Sequence, residues 1–209
     1  MLDLTQGQFV KHVILHPFEG FEDLRWKKSG SMKIAFVIVC LLFFQQIAYN
    51  RLYGFQYYSS YDKIFNIIPY FFRSFLLFGI WVVANWAMCT LFDGEGSMKN
   101  IFIYSAYALV PYIAGYLIGT LLSHFLIKDE YIFIQAFEII GTCWSFVLVL
   151  SAIKAVHQFS FGKTVALILL TIVAMVAILF LLILLLTLFQ QVLIFFFSIY
   201  TELSYRFRV

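Results

Sequence analysis

The sequence predicts an all-α, polytopic membrane protein: a five-span transmembrane helical bundle preceded by an N-terminal interfacial amphipathic helix. Three observations predict it. The 209 residues are 63% hydrophobic and only 12% charged, with a mean hydropathy of +0.93, whereas soluble domains carry about 25% charged residues. A chain of this length cannot fold enough interior to hide that many large apolar side chains from water. The apolar residues also run for roughly 20 positions at a stretch instead of alternating, which favours helices over an outer-membrane barrel.

The elements follow in order. Residues 1–31 form a cytoplasmic, interfacial segment, in which Leu4, Phe9, Val13 and Phe18 recur near helical spacing between Gln6, Gln8, Lys11 and His12. Thr5 and Gln8 have the spacing of a capping box. Pro17 breaks this helix, and Phe18, Phe21 and Trp26 beside Arg25, Lys27 and Lys28 have the composition of a membrane-surface anchor. The first residues lack a basic stretch followed by an apolar one, so no cleavable signal is expected. Ser29-Gly30-Ser31 turns the chain into the bundle, with Ser31 as N-cap.

Residues 32–209 form the bundle, with spans over Met32–Leu52, Phe71–Leu91, Ile101–Phe125, Ile132–Ile153 and Thr164–Phe189. The apolar tail continues to Tyr200, too long for one upright span, so the last helix tilts, projects, or folds back along the interface. Lys11, Arg25, Lys27, Lys28 and Lys33 gather ahead of the first span, against Arg51, Lys63 and Arg73 around the first loop. With Lys99, Lys154 and Lys163 on the N-terminal side and Lys128, Arg206 and Arg208 opposite, the modest bias predicts a cytoplasmic N-terminus and an outer C-terminus. The tyrosine-rich loop Tyr49–Tyr70 then faces outward, as an interfacial belt or, less simply, a docking surface.

Polar groups inside spans are costly and mark pairing or function. Counting along each span puts Gln45, Gln46, Arg73, His124 and Glu138 toward the outer end. Glu138 lies two turns down, about 11 Å, where an ion pair with Arg73, wrapped by Gln45, Gln46 or His124, would satisfy it. Such a pair either locks the bundle or lines a solute or proton path. Asn85, beside Trp86, reads as interhelical hydrogen-bonding glue. Cys40, Cys89 and Cys143 lie in apolar runs, as small packing residues and not a disulfide framework. His12 and His16 lack a third zinc ligand, and HExxH, GxSxG and P-loop motifs are absent, so neither enzyme chemistry nor a cofactor is expected. A net charge of +3 is too small to imply nucleic acid.

The turn Asp93-Gly94-Glu95-Gly96 joins the second and third spans. Two carboxylates fall short of the six to eight oxygens calcium takes. The expectation is a structural turn or partner-docking corner, with glycines supplying positive φ and Ser97, together with Asn100, capping the third helix.

The stretch NWAMCTLFDGEGSMKNIFIYSAYALVPY, from Asn85 to Tyr112, resembles the central signature of bacterial members of the Yip-domain family (Ypt/Rab-interacting proteins). Tyr104, Tyr107, Ala108, Leu109 and Pro111 match its YxxYALxP-like core, and HPFEGFEDLRWKKSGS, His16 to Ser31, is similar to the segment before the first span. The acidic aromatic motif of eukaryotic members has no clear counterpart, so a Rab-traffic role is not transferred. The resemblance implies five spans, a cytoplasmic N-terminus, no catalytic residues, and a role as membrane organiser or binding partner. For bacterial relatives it further implies an accessory role beside an ABC-type carbohydrate importer in the cell membrane. The expected function is thus a non-enzymatic accessory or scaffold protein in the lipid bilayer, contacting a membrane-protein partner or further copies of itself. The alternative is a small-solute transporter or channel using the outer polar cluster.

Overall fold

In the computed structural model, residues 6–27, 30–57 and 65–207 are described. Thr5 with its capping box, Lys28, Ser29, Lys63 and Arg208 lie outside them. Two short helices, α1 (Gln6–Leu15) and α2 (Pro17–Trp26), precede the first span, α3 (Met32–Arg51). The second span starts as α4 (Ile68–Phe71), passes through a π-helical segment (Phe72–Leu76) and continues as α5 (Leu77–Leu91). The third is split into α6 (Met98–Ala108) and α7 (Val110–Leu122), the fourth is α8 (Tyr131–His157), and the fifth is α9 (Phe161–Arg206). Among the described residues five helices are long and apolar enough to cross a bilayer, and the chain is an all-α polytopic bundle. The end carrying α1, α2 and the 92–97 turn is called the entry end below, and the opposite one the far end.

Sterics explain the joints. Pro17 fills the first turn of α2, where its missing N–H costs nothing. Gly20 lets α2 fold onto α1, because a Cβ there would lie 2.7 Å from the Val13 Cα. Pro111 splits the third span by removing a backbone donor. The next amide, Tyr112 N–H, donates instead to Ser145 Oγ on α8 at 2.8 Å. Gly115 and Gly141 meet at this crossing, and a Cβ on Gly141 would sit 2.6 Å from the Pro111 carbonyl oxygen. Small residues let the two backbones approach where no hydrophobic force drives helices together in lipid.

Four expectations need correction. Phe21 is fully buried in the core with Phe9, Val13 and Leu24, so α1 and α2 dock against the bundle; of the three aromatic anchor residues Phe18 and Trp26 are exposed. Ser31 stands at the N-cap of α3 but its hydroxyl caps nothing; its amide donates to the Tyr107 hydroxyl. Cys143 is exposed, unlike buried Cys89. The fold-back of the tail also fails, since α9 is one uninterrupted helix of 46 residues. That is about 69 Å long, and Thr171 is its last buried residue.

Candidate functional site

At the entry end the turn at 92–97 closes over His157. The chain reverses at Asp93, whose φ of 60° places the left-handed residue there and not at either glycine. The Gly94 amide then donates to the Cys89 carbonyl, closing α5. The glycines serve a different need. A Cβ on Gly94 would lie 2.5 Å from His157 Nδ1, and one on Gly96 2.4 Å from Val156 Cγ1. Only bare backbone fits over the imidazole.

His157 is 1% exposed, and its partners fix its tautomer. The Gly96 amide donates to Nδ1 at 3.3 Å, so Nε2 carries the proton and donates to Asn85 Oδ1 at 3.3 Å. Asn85 Nδ2 donates to Thr171 Oγ1, whose hydroxyl donates to the Leu167 carbonyl. The chain of bonds ties the turn, α8, α5 and α9 together. Phe159 stacks on the imidazole and carries the Lys163 ammonium 4.2 Å above its ring.

The two family-like segments meet beside this network. Arg25 of α2 donates to the Ala155 and Val156 carbonyls at the end of α8 and pairs with Glu95. Phe21 packs on Tyr104, and Tyr107 is fully buried against Ser31. Trp86, in contrast, points outward and is partly exposed. Ser97 caps α6 by accepting from the Asn100 amide. A cavity of about 420 Å³ lies here, lined by Arg25, Trp26, Glu95, Lys99, Asn100 and Tyr104 among others.

The far end is organised differently. Six tyrosine rings form a ladder in the order Tyr112, Tyr116, Tyr49, Tyr53, Tyr57, Tyr131, with successive centroids 4.5–5.7 Å apart. The half-buried Tyr49, Tyr53 and Tyr57 thus face ring partners instead of forming a lipid belt. The Tyr57 hydroxyl donates to the Leu126 and Ile127 carbonyls, and the Gly54 amide to Ser123 Oγ. Burial, then the Glu130 carboxylate, holds the Tyr57 phenol above its ordinary range, so it stays a donor.

The expected polar cluster is only partly assembled. Gln45, Gln46 and Glu138 are buried, and Gln46 lines one cavity with Arg73 and Tyr112. The expected Arg73–Glu138 ion pair does not form among the described residues. Glu138 lies instead near Tyr49 and Tyr53, and its Oε1, like Gln45 Oε1, has no partner among the described residues. His124 is exposed in the turn after α7, and its Nδ1 donates to the Thr120 carbonyl. Counting residues fixed the depth of each group but not its side of the helix.

His157 and Arg25 as an organising pair escaped the sequence reading; the available signal was an imidazole in the last turn of an apolar run. No curated protein and no solved structure matches the chain. The family model for the Yip1 domain matches residues 11–185, which takes in α2, the 92–97 turn and all five spans up to the middle of α9. On that match, which covers well over half of its length, the chain belongs to the Yip1 domain family.

Proposed function

We propose that the protein is a non-enzymatic accessory or scaffold subunit, seated in the cell membrane with its N-terminus in the cytoplasm, that binds another membrane complex. The observation that carries this reading is the bare length of α9. Its 46 residues span about 69 Å, against roughly 30 Å of hydrocarbon. Hiding that length in lipid would take a tilt of roughly 64°, beyond the 0–40° found for spanning helices. Nearly every residue from Leu181 to Phe207 is exposed, including Phe195, Phe196 and Phe197, and the family match ends at Leu185. An apolar helix leaving the bilayer is stable only when protein covers it. The turn Asp93–Gly96 offers a second contact: the Asp93 side chain is exposed, while Glu95 is held by Arg25. The partner class we favour, from the resemblance to bacterial relatives, is an ABC-type carbohydrate importer.

Purification in mild detergent from native membranes, with quantitative mass spectrometry, tests it. The full chain should bring down a stoichiometric membrane protein, and a chain ending at Leu185 should lose it. Recovery of the bare chain alone, or an unchanged partner after truncation, would sink the reading.

A second reading is a small-solute path through the far end, favoured by the unpartnered buried oxygens of Gln45 and Glu138. It requires flux into proteoliposomes holding the purified chain alone, lost in a folded Glu138→Ala variant.

A further inference from the structure

A cavity of about 430 Å³, independent of the accessory reading, opens sideways from the middle of the bundle. All five spans contribute to it, and Ile168 and Ile172 form its wall on α9 at the level where that helix leaves the bundle. The remaining walls are largely apolar, including Phe78, Trp81, Leu109 and Phe146. Ile172 and Phe146 are exposed, so the mouth faces hydrocarbon. Its polar end is Arg73, Ser74, Gln46 and Tyr112.

Arg73 and Ser74 are unusual for the chain. Both sit in the π-helical segment Phe72–Leu76, a form that appears as single-turn insertions, often at functional sites. Thr90, Thr120, Thr142 and Ser151 all return their hydroxyls to the carbonyl four residues back. Ser74 does not: its hydroxyl is fully buried and has no partner among the described residues. Arg73 has neither carboxylate nor carbonyl within bonding distance among them, and the group that shares its end of the cavity, the Tyr112 phenol, is no carboxylate. Five residues beyond the start of α4, Arg73 lies about 8 Å along the helix, near the boundary between hydrocarbon and headgroups. A guanidinium there wants an anion, and phosphate takes its two parallel N–H bonds.

We propose that this groove binds one anionic phospholipid, with its phosphate on Arg73 and Ser74 and an acyl chain along Trp81 and Ile172. The lateral mouth and apolar walls select a lipid over a soluble phosphate. A lipid with net negative charge is preferred to a zwitterionic one, whose own ammonium competes with Arg73 for the phosphate.

The test is native mass spectrometry of the purified full chain, titrated with phosphatidylglycerol and with phosphatidylcholine of the same acyl chains. One arginine near the surface predicts about a fivefold preference for the anionic lipid. Arg73→Gln should abolish that preference, Arg73→Lys should keep it in part, and excess glycerol 3-phosphate should not displace the lipid. If Arg73→Gln does not fold, Ile172→Trp, which fills the groove and leaves the charge, must lower binding of both lipids. Equal binding of the two lipids by the native chain, an unchanged preference in Arg73→Gln, unchanged binding in Ile172→Trp, or displacement by glycerol 3-phosphate would each overturn the proposal.

Discussion

The two ends of the bundle handle buried polarity in opposite ways. At the entry end every polar atom of Thr171, Asn85 and His157 that enters the chain of bonds has one role, and the direction of each proton is determined. At the far end Gln45 Oε1, Ser74 Oγ, Tyr53 Oη and Glu138 Oε1 are buried without a partner among the described residues. The elements there are joined by ring contacts and by a few bonds from Gly54 and Tyr57 at the loop. A satisfied network specifies one arrangement, whereas unpaired groups cost free energy and are kept where something else uses them. The contrast identifies the entry end as the fixed scaffold and the far end as the adaptable one.

The sharpest way to break that contrast is His157→Ala. Removing the ring leaves the Gly96 amide and Asn85 Oδ1 without partners and opens a cavity under a turn whose glycines were shaped to it. Lost packing and two orphaned groups together cost about 3–5 kcal/mol. In a chain of this size that lowers the melting temperature in detergent by about 6–20 °C. A shift of less than about 2 °C would mean the network does not hold the entry end together.

Arg25→Ala should have a smaller effect. Arg25 is partly exposed, and its carboxylate partner Glu95 is mostly in water, so that ion pair contributes little. Its bonds to the Ala155 and Val156 carbonyls matter more, because they close the C-terminus of α8 and satisfy groups the helix leaves open. The loss should be about 2 kcal/mol. Hydrogen exchange should localise it to α2 and the end of α8, leaving the far end protected as before. Spread of the new exchange to α7 would remove the separation between the two ends.

How far the sequence could be read follows the same division. The spans, the reversal at Asp93–Gly96 and the Ser97 cap were legible because hydropathy, turn chemistry and capping act over a few neighbouring residues. Arg25 reaching Val156 was not, since 131 positions separate them and no local pattern links them. Facing is also hard to read in lipid. In water a helix declares its inner side by an apolar stripe, but here every side of α8 or α9 is apolar, so periodicity carries little information. That is why Glu138 and Arg73 could be given a depth but were paired wrongly, and why Phe21 looked like an anchor. The tyrosine ladder was hidden for the same reason: three of its rings, Tyr112, Tyr116 and Tyr131, stand far along the chain from Tyr49.

Glu138→Gln sharpens the comparison at the far end, and the expected effect is the smallest. If Glu138 were half of a buried ion pair, removing its charge would strand a cation and cost about 3–5 kcal/mol. No cation reaches it among the described residues: Arg73 stands beside Tyr112, while Glu138 faces Tyr49 and Tyr53 against Gly119. Glutamine keeps the size and the oxygen and deletes only the capacity to ionise, which in a site without a counter-charge stabilises nothing. The melting temperature should stay within about 2 °C of the native chain or rise. A fall comparable to that of His157→Ala would reinstate a buried ion pair at the far end, and the two ends would then differ in chemistry but not in rigidity.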